Sequence, residues 1–137
     1  MLSKNELIEV RDGVEDDNVF ILATWLRGLR YGNSWFLLID AKIYFAEYQK
    51  AIKVLLASAD TIIKVACLKE EPSVILGYSV YSNGRLHFTF VKKAWRKIGI
   101  AKSLVPQDIK VVSHITDTGR SILRKYPDVT FNPFNLY

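Results

Sequence analysis

Residues 85–104 read RLHFTFVKKAWRKIGIAKSL, two kinds of structure joined by a turn. Leu86, Phe88 and Phe90 alternate with His87 and Thr89, the period of two that places one set on each face of a strand. Ile100, Ser103 and Leu104 recur at helical spacing. Between them Arg96-Lys97-Ile98-Gly99-Ile100-Ala101 predicts a turn that leads from the strand into a helix N-terminus. The first N–H groups of a helix have no partner inside it, and the helix dipole adds about half a positive charge there. Such a turn suits a pyrophosphate. Gly99 lets the backbone approach the phosphates with no Cβ in the way. A plain strand-turn-helix with a basic surface accounts for the same residues, so further features have to separate the two readings.

Those features come from the residues around the turn. The stretch resembles the cofactor motif of the GNAT acetyltransferases, written Arg/Gln-x-x-Gly-x-Gly/Ala. Phe90-Val91 stands where that family has an apolar residue and a Val at the strand end. Trp95-Arg96 matches its frequent aromatic-Arg pair, and Ile100 and Leu104 match its helix core positions. At the level of residues the resemblance runs from about Leu76 to Leu104. Short phage-encoded GNAT-like proteins look similar in the segment from Trp25 to Tyr31.

Working outward, 137 residues correspond to one domain on a prior of about 100–200 residues per domain. Half the residues are apolar and 24% are charged, which is the composition of a globular chain. The single cysteine, Cys67, excludes an internal disulfide and lies in the apolar run Ile62 to Leu68, where a buried thiol is expected. Met1 to Glu6 lacks the apolar centre of a signal peptide, and no run reaches the ~18 apolar residues of a membrane span. A cytoplasmic protein is expected. The net charge of +5 is modest, but Lys92, Lys93, Arg96, Lys97 and Lys102 crowd the central turn and favour an anionic ligand. Two histidines and one cysteine provide no metal-ligand spacing, and neither a Gly-x-Ser-x-Gly elbow nor a Walker lysine motif is present.

In chain order, Leu7 to Asp12 predicts a first strand and Val19 to Leu29 a helix, broken by Tyr31-Gly32-Asn33-Ser34. Trp35 to Ile39 is a short apolar connection. Asp40 is the expected N-cap of a second helix, Ala41 to Ala57, with Ile43, Tyr44, Ala51, Val54 and Leu55 as its apolar face and Glu47 and Lys50 turned out. Thr61 to Leu68 and Val74 to Tyr81 are strands, and Ser82-Asn83-Gly84 is a hairpin signal. Pro106 should stop the central helix early. Lys110 to Ile115 is expected as a strand, Gly119 to Lys125 as a helix capped by Thr116 or Thr118, and Val129–Phe131 and Phe134–Tyr137 as short terminal strands. The order β-α-α-β-β-β-α-β-α-β is also that of the GNAT fold. The resemblance therefore implies an α/β chain forming one domain over 1–137: a mostly antiparallel, twisted sheet, flanked by helices and splayed between strands four and five.

The resemblance also implies chemistry. The pantetheine arm of acetyl-CoA, as co-substrate, would lie in the splay and pair with backbone at Phe90 and Val91. The pyrophosphate would take N–H groups from Lys97, Ile98, Gly99, Ile100 and Ala101, with Arg96 and Lys102 adding charge. Acetyl transfer to an amine needs a base for the ammonium proton and a donor for the leaving thiolate. The family's frequent Glu falls on Arg85 here, which cannot be a base. His87, two residues on, is the catalytic candidate in its place, and His114 the second. The family's Tyr donor falls on Leu123, and its common Asn on Thr116, leaving Tyr126 as the substitute. A structural histidine and a packing tyrosine remain the competing readings of these two.

The acceptor would meet the first two helices and their connection, where Trp25, Tyr31, Trp35, Phe36, Tyr44, Phe45 and Tyr48 gather. Core packing explains most of them. Trp25 to Arg27 with Arg30-Tyr31 forms an aromatic-basic pattern that would stack and pair with nucleic acid. Some phage GNAT-like proteins modify adenine in DNA. Two functions follow: a CoA-dependent N-acetyltransferase acting on an unidentified amine as monomer or homodimer, or a GNAT-fold protein without turnover or with a nucleic-acid partner.

Overall fold

The computed structural model describes residues 2–136. Six strands form one sheet in sequence order: β1 (Ile8–Asp12), β2 (Ile62–Leu68), β3 (Ile75–Ser82), β4 (Arg85–Val91), β5 (Val111–Val112) and β6 (Thr130–Phe131). The first four are antiparallel, while β4–β5 and β5–β6 are parallel. Helices α1 (Asn18–Tyr31), α2 (Ala41–Ala57), α3 (Ile100–Leu104) and α4 (Asp117–Leu123) flank it. The mixed α/β class, the element order and the splayed sheet are as expected from the sequence.

Local chemistry sets the boundaries. Asp40 caps α2, its carboxylate accepting from the N–H groups of Lys42 and Ile43 at 3.0 and 3.3 Å. Thr116 caps α4 by accepting from Gly119 N–H at 3.0 Å. Asn83 and Gly84 turn the β3–β4 hairpin with φ of 46° and 78°, the positive values a two-residue turn needs to match strand twist. Arg11 grips the Asp17 carboxylate with both terminal guanidinium nitrogens, at 2.8 and 2.9 Å, and so fastens β1 to the start of α1. That contact, the largest influence on it, holds the Asp17 carboxyl below its usual range.

Two cores lie on opposite faces of the sheet. On one face Trp25, Leu29, Tyr44, Ile52 and Leu55 of α1 and α2 pack over Val65, Tyr78 and Phe88. On the other, Ile100 and Leu104 of α3 pack over Ala66 and Val91. Helix α3 is only five residues long. It ends just before Pro106, and its Leu104 carbonyl accepts from the buried Ser79 hydroxyl at 2.7 Å.

Several expected details differ. The buried face of α2 is Tyr44, Ile52 and Leu55, with Tyr48 packed at its edge. Ile43 and Val54 are exposed, because α1 and the Ser34–Leu38 3₁₀ turn cover a narrower stripe than the hydrophobicity suggested. The strand expected at Lys110–Ile115 pairs only at Val111 and Val112. Phe134 to Leu136 is not a strand, and the expected Tyr137 lies outside the described residues. Trp25 and Arg30 do not face solvent: Trp25 is fully buried, and Arg30 is 7% exposed. The Arg30 guanidinium lies over the rings of Tyr44 and Phe45 at 5.2 and 5.8 Å and donates to the Phe36 carbonyl. Trp25 and Arg30 of the expected aromatic-basic pattern are therefore part of the core, since aromatic faces and a carbonyl satisfy the cation there, while Arg27 and Tyr31 remain exposed. Among the described residues no helix is long and apolar enough to cross a membrane.

Candidate functional site: a splayed strand edge beside a basic turn

Strands β4 and β5 touch only at Arg85↔Val111 and Leu86↔Val112, with Ser113 N–H donating to the Leu86 carbonyl at 3.0 Å. From His87 to Val91 that edge of β4 has no strand partner among the described residues. Five residues at ~3.3 Å each make an open edge of roughly 16 Å. The antiparallel pairing with β3 skips one residue here: Val80 faces Phe88 and Tyr81 faces Leu86. His87 is the extra residue of this bulge, which reverses the alternation of backbone groups beyond it. Lys92 N–H donates to Leu76 on β3. By alternation the backbone of Phe90 also faces β3, and Thr89 and Val91 face the open edge. Arg96 Nε reaches the Val91 carbonyl at 2.9 Å. Of the two expected pairing residues, then, Val91 presents its backbone to the gap and Phe90 packs its ring inward against Phe20, 6.0 Å between centroids. Thr89 is the residue that sequence reading missed, since the bulge that re-aims it leaves no signal in the side-chain pattern.

The turn after β4 carries two residues in the left-handed region, Lys97 (φ 67°) and Gly99 (φ 90°). Gly99 is the N-cap of α3. Among the described residues nothing accepts from the backbone N–H groups of Lys97, Ile98, Gly99, Ile100, Ala101 or Lys102. Six consecutive free donors around a left-handed bend form an anion-binding concavity of the kind made by successive N–H groups. A Cβ at Gly99 would meet nothing within 4 Å, so that side of the turn is open. Arg96, Lys97 and Lys102 are exposed, while Ile98 is half-buried and Ile100 is buried. Lys4 Nζ donates to the Ala94 carbonyl at 2.6 Å and sits over the Trp95 ring, adding a further cation at the same place.

At the upper end of the gap the two histidines meet. His87 has no exposed surface. Its Nε2 lies 3.2 Å from Ser82 Oγ and its Nδ1 2.7 Å from Ser113 Oγ. The same Ser113 hydroxyl lies 2.9 Å from His114 Nδ1. His114 is half-buried, edge-on to Trp25 at 5.2 Å and near Tyr48 at 6.4 Å. Burial pushes both imidazoles down from 6.5 to about 4; the Arg85 charge adds to the effect at His87, and His87 adds to it at His114. Both are neutral at physiological pH. Trp25 Nε1 and Thr89 Oγ1 are buried without a hydrogen-bond partner among the described residues.

Tyr126 lies away from this cluster. It is 57% exposed, in the turn after α4, and among the described residues it hydrogen-bonds only through its backbone, to Leu123 and Val129. Leu123, at the position of the expected Tyr, is half-buried. The structure thus gathers His87, His114, Val91 and the 96–102 turn along one edge and leaves Tyr126 apart. Two concavities, of about 240 Å³ between α1 and α2 beside Leu22 and Lys53 and of about 310 Å³ beside Arg11 and Pro72, involve no residue of β4, β5 or the turn. No group of three or more metal-ligating residues occurs among the described residues.

No family model matches the chain, and no curated protein matches it. Solved structures do. A protein of Pyrococcus furiosus assigned as an acetyl transferase superposes with a TM-score of 0.60 at 16% identity, over 91% of this chain and 80% of that one. A Clostridium acetobutylicum protein assigned as an acetyltransferase, solved with acetyl-CoA, superposes with a TM-score of 0.57 at 13% identity, over 88% and 89%. A GCN5-related N-acetyltransferase of Kribbella flavida gives 0.50 at 17% identity, over 74% and 62%. The chain has the fold of the GNAT acetyltransferases.

Proposed function

We propose that this protein is an acetyl-CoA-dependent N-acetyltransferase. The observation that carries the reading is the open β4 edge running into six unpaired N–H groups at residues 97–102. The two features have the dimensions and polarity of a pantetheine arm and a pyrophosphate. Thr89 and Val91 would pair with the amides of the arm. The N–H groups of Lys97 to Lys102 would hold the pyrophosphate, and Arg96, Lys97 and Lys102 would offset its charge. The bound thioester then lies toward His87 and His114, the only end of the edge where β5 closes it. When bound, acetyl-CoA supplies the activated acyl group, and the chain orients it. Neutral imidazoles at that end can accept a hydrogen bond from an acceptor amine. The test is mass-resolved acetyl transfer from acetyl-CoA to a panel of small amines, nucleosides and N-terminal peptides, scored with release of free CoA. No transfer to any class, together with no acetyl-CoA binding, overturns the reading.

One observation favours a second reading, a GNAT-fold binder without turnover. Arg85 stands at the family's base position, His87 has both nitrogens occupied, and Tyr126 is apart. Acetyl-CoA binding without transfer to any acceptor would select it. A nucleic-acid partner has lost Trp25 and Arg30 to the core and rests on the exposed Arg27 and Tyr31 and the central lysines. Steep salt dependence of oligonucleotide binding would support it.

A further inference from the structure

Lys4 reaches the basic turn from 90 residues away. It opens the Lys4–Leu7 3₁₀ turn ahead of β1. Its Nζ donates to the Ala94 carbonyl at 2.6 Å and lies 5.1 Å from the centre of the Trp95 ring. Those contacts hold the ammonium beside the turn and leave it further N–H groups to give. Ile8, Trp95 and Ile98 pack together against the core under α3, which ties the N-terminal segment to the turn. Lys93, the neighbour of Ala94, is exposed. From Pro72 to Gln107 the chain has no Asp or Glu, against Arg85, Lys92, Lys93, Arg96, Lys97 and Lys102. The ion pairs among the described residues belong to Arg11, Lys50, Lys64 and Arg120. Glu6, close to Lys4 in sequence, is exposed and joins none of them.

The N–H groups of Lys97 to Lys102, with the charges of Arg96, Lys97 and Lys102, are enough for a pyrophosphate. Lys4 and Lys93 are left over. CoA carries one further phosphate, a monoester on the ribose 3′ carbon, and such a group has about −1.5 to −2 charge at pH 7. We infer that Lys4 and Lys93, beside Ala94, form a second anion subsite that takes this 3′-phosphate, so that the chain selects CoA over its 3′-dephospho form. The inference rests on the acetyl-CoA reading. Fixed backbone N–H groups suit a pyrophosphate by shape, whereas a monoester dianion calls for neutralising cations. Lys4 is already held by a carbonyl and a ring, so it loses less side-chain freedom on binding than a loose surface lysine does. The 3′-phosphate is remote from the thioester, so the discrimination is made in binding and takes no part in the transfer step.

Titration calorimetry of the full chain with CoA and with 3′-dephospho-CoA tests this. CoA is expected to bind about tenfold more tightly, the worth of two exposed ion contacts. The ratio should shrink as salt is raised, since such contacts are screened. Lys4→Met keeps an apolar stem against Trp95 and removes the charge. Lys4→Met and Lys93→Met should each weaken CoA about threefold and leave dephospho-CoA unchanged. Both lysines are exposed, so both variants should keep the parent's circular dichroism. Equal affinity of the parent for the two ligands overturns the proposal and leaves the acetyl-CoA reading intact. So does a variant that weakens both ligands alike, which would make the lysine a support of the turn only. Displacement of bound CoA gives a check free of variants. Adenosine 3′,5′-bisphosphate should displace it at a lower concentration than adenosine 5′-phosphate, and equal displacement also overturns the proposal. A chain that binds neither CoA nor dephospho-CoA sinks the functional reading and this subsite with it.

Discussion

Arg96 Nε donates to the backbone carbonyl of Val91 at 2.9 Å, joining the start of the basic turn to the last residue of β4. The bond spans the corner where the sheet stops and the free N–H groups begin. It fixes the turn relative to the open edge, so that one extended ligand can touch both.

Arg96→Ala is expected to weaken acetyl-CoA binding by about tenfold, the effect of losing roughly 1.4 kcal/mol from one charge-assisted contact and its positioning. Folding should be almost unaffected, because Arg96 is exposed. Titration calorimetry checks it; an unchanged Kd would detach the turn from the cofactor.

Arg30→Ala is expected to destabilise the fold by roughly 1–3 kcal/mol and to leave any binding of nucleic acid unchanged. The guanidinium is buried over Tyr44 and Phe45 with a carbonyl partner, and its alkyl stem fills core volume. Urea denaturation of the variant measures the loss. A variant as stable as the parent would return Arg30 to the surface reading.

Stability should fall as pH drops from about 6.5 toward 4. His87 and His114 are lowered to about 4 chiefly by burial, so the unfolded chain takes up their protons first and the folded state loses ground through that window. Above neutral pH the contribution is complete, and below 4 these two add no further loss. Moving one histidine from its ordinary value to about 4 corresponds to roughly 3 kcal/mol. The charged and titratable groups around the pair are Arg85 on β4 and Tyr48 on α2, together with the two rings themselves, and Tyr48 stays neutral throughout. Denaturant midpoints at pH 7 and pH 5 decide the matter; equal midpoints would contradict the buried, neutral pair.

Much of this was legible in the residues. The Asp40 cap, the Asn83-Gly84 hairpin and the stop before Pro106 are local events, written in side chains that act within a few residues. The Lys97–Lys102 turn was legible for the same reason, since Gly99 marks it. The bulge at His87 was not, because it depends on how β4 registers against Val80 and Tyr81, a contact between strands. Nor was the burial of Arg30, whose polarity argues for solvent until the rings of α2 are brought beneath it. The difference between the histidines was hidden likewise: His87 and His114 look alike in sequence, and only the packing around them shows that His87 is walled in.

The most direct test of the account compares acetyl-CoA binding to the parent chain and to Gly99 variants by calorimetry and thermal shift. Gly99 has a φ of 90° and open space beside it. A side chain there costs about 1–2 kcal/mol of backbone strain and adds bulk on the open side of the turn. The parent is expected to bind, with stabilisation of about 2.7 kcal/mol at 100 times Kd. Gly99→Val is expected to stay folded by circular dichroism and to lose that response, with Gly99→Ala in between. A parent chain that does not respond to acetyl-CoA, or a folded Gly99→Val that binds it as tightly as the parent, would contradict the assignment of this edge and turn to the cofactor.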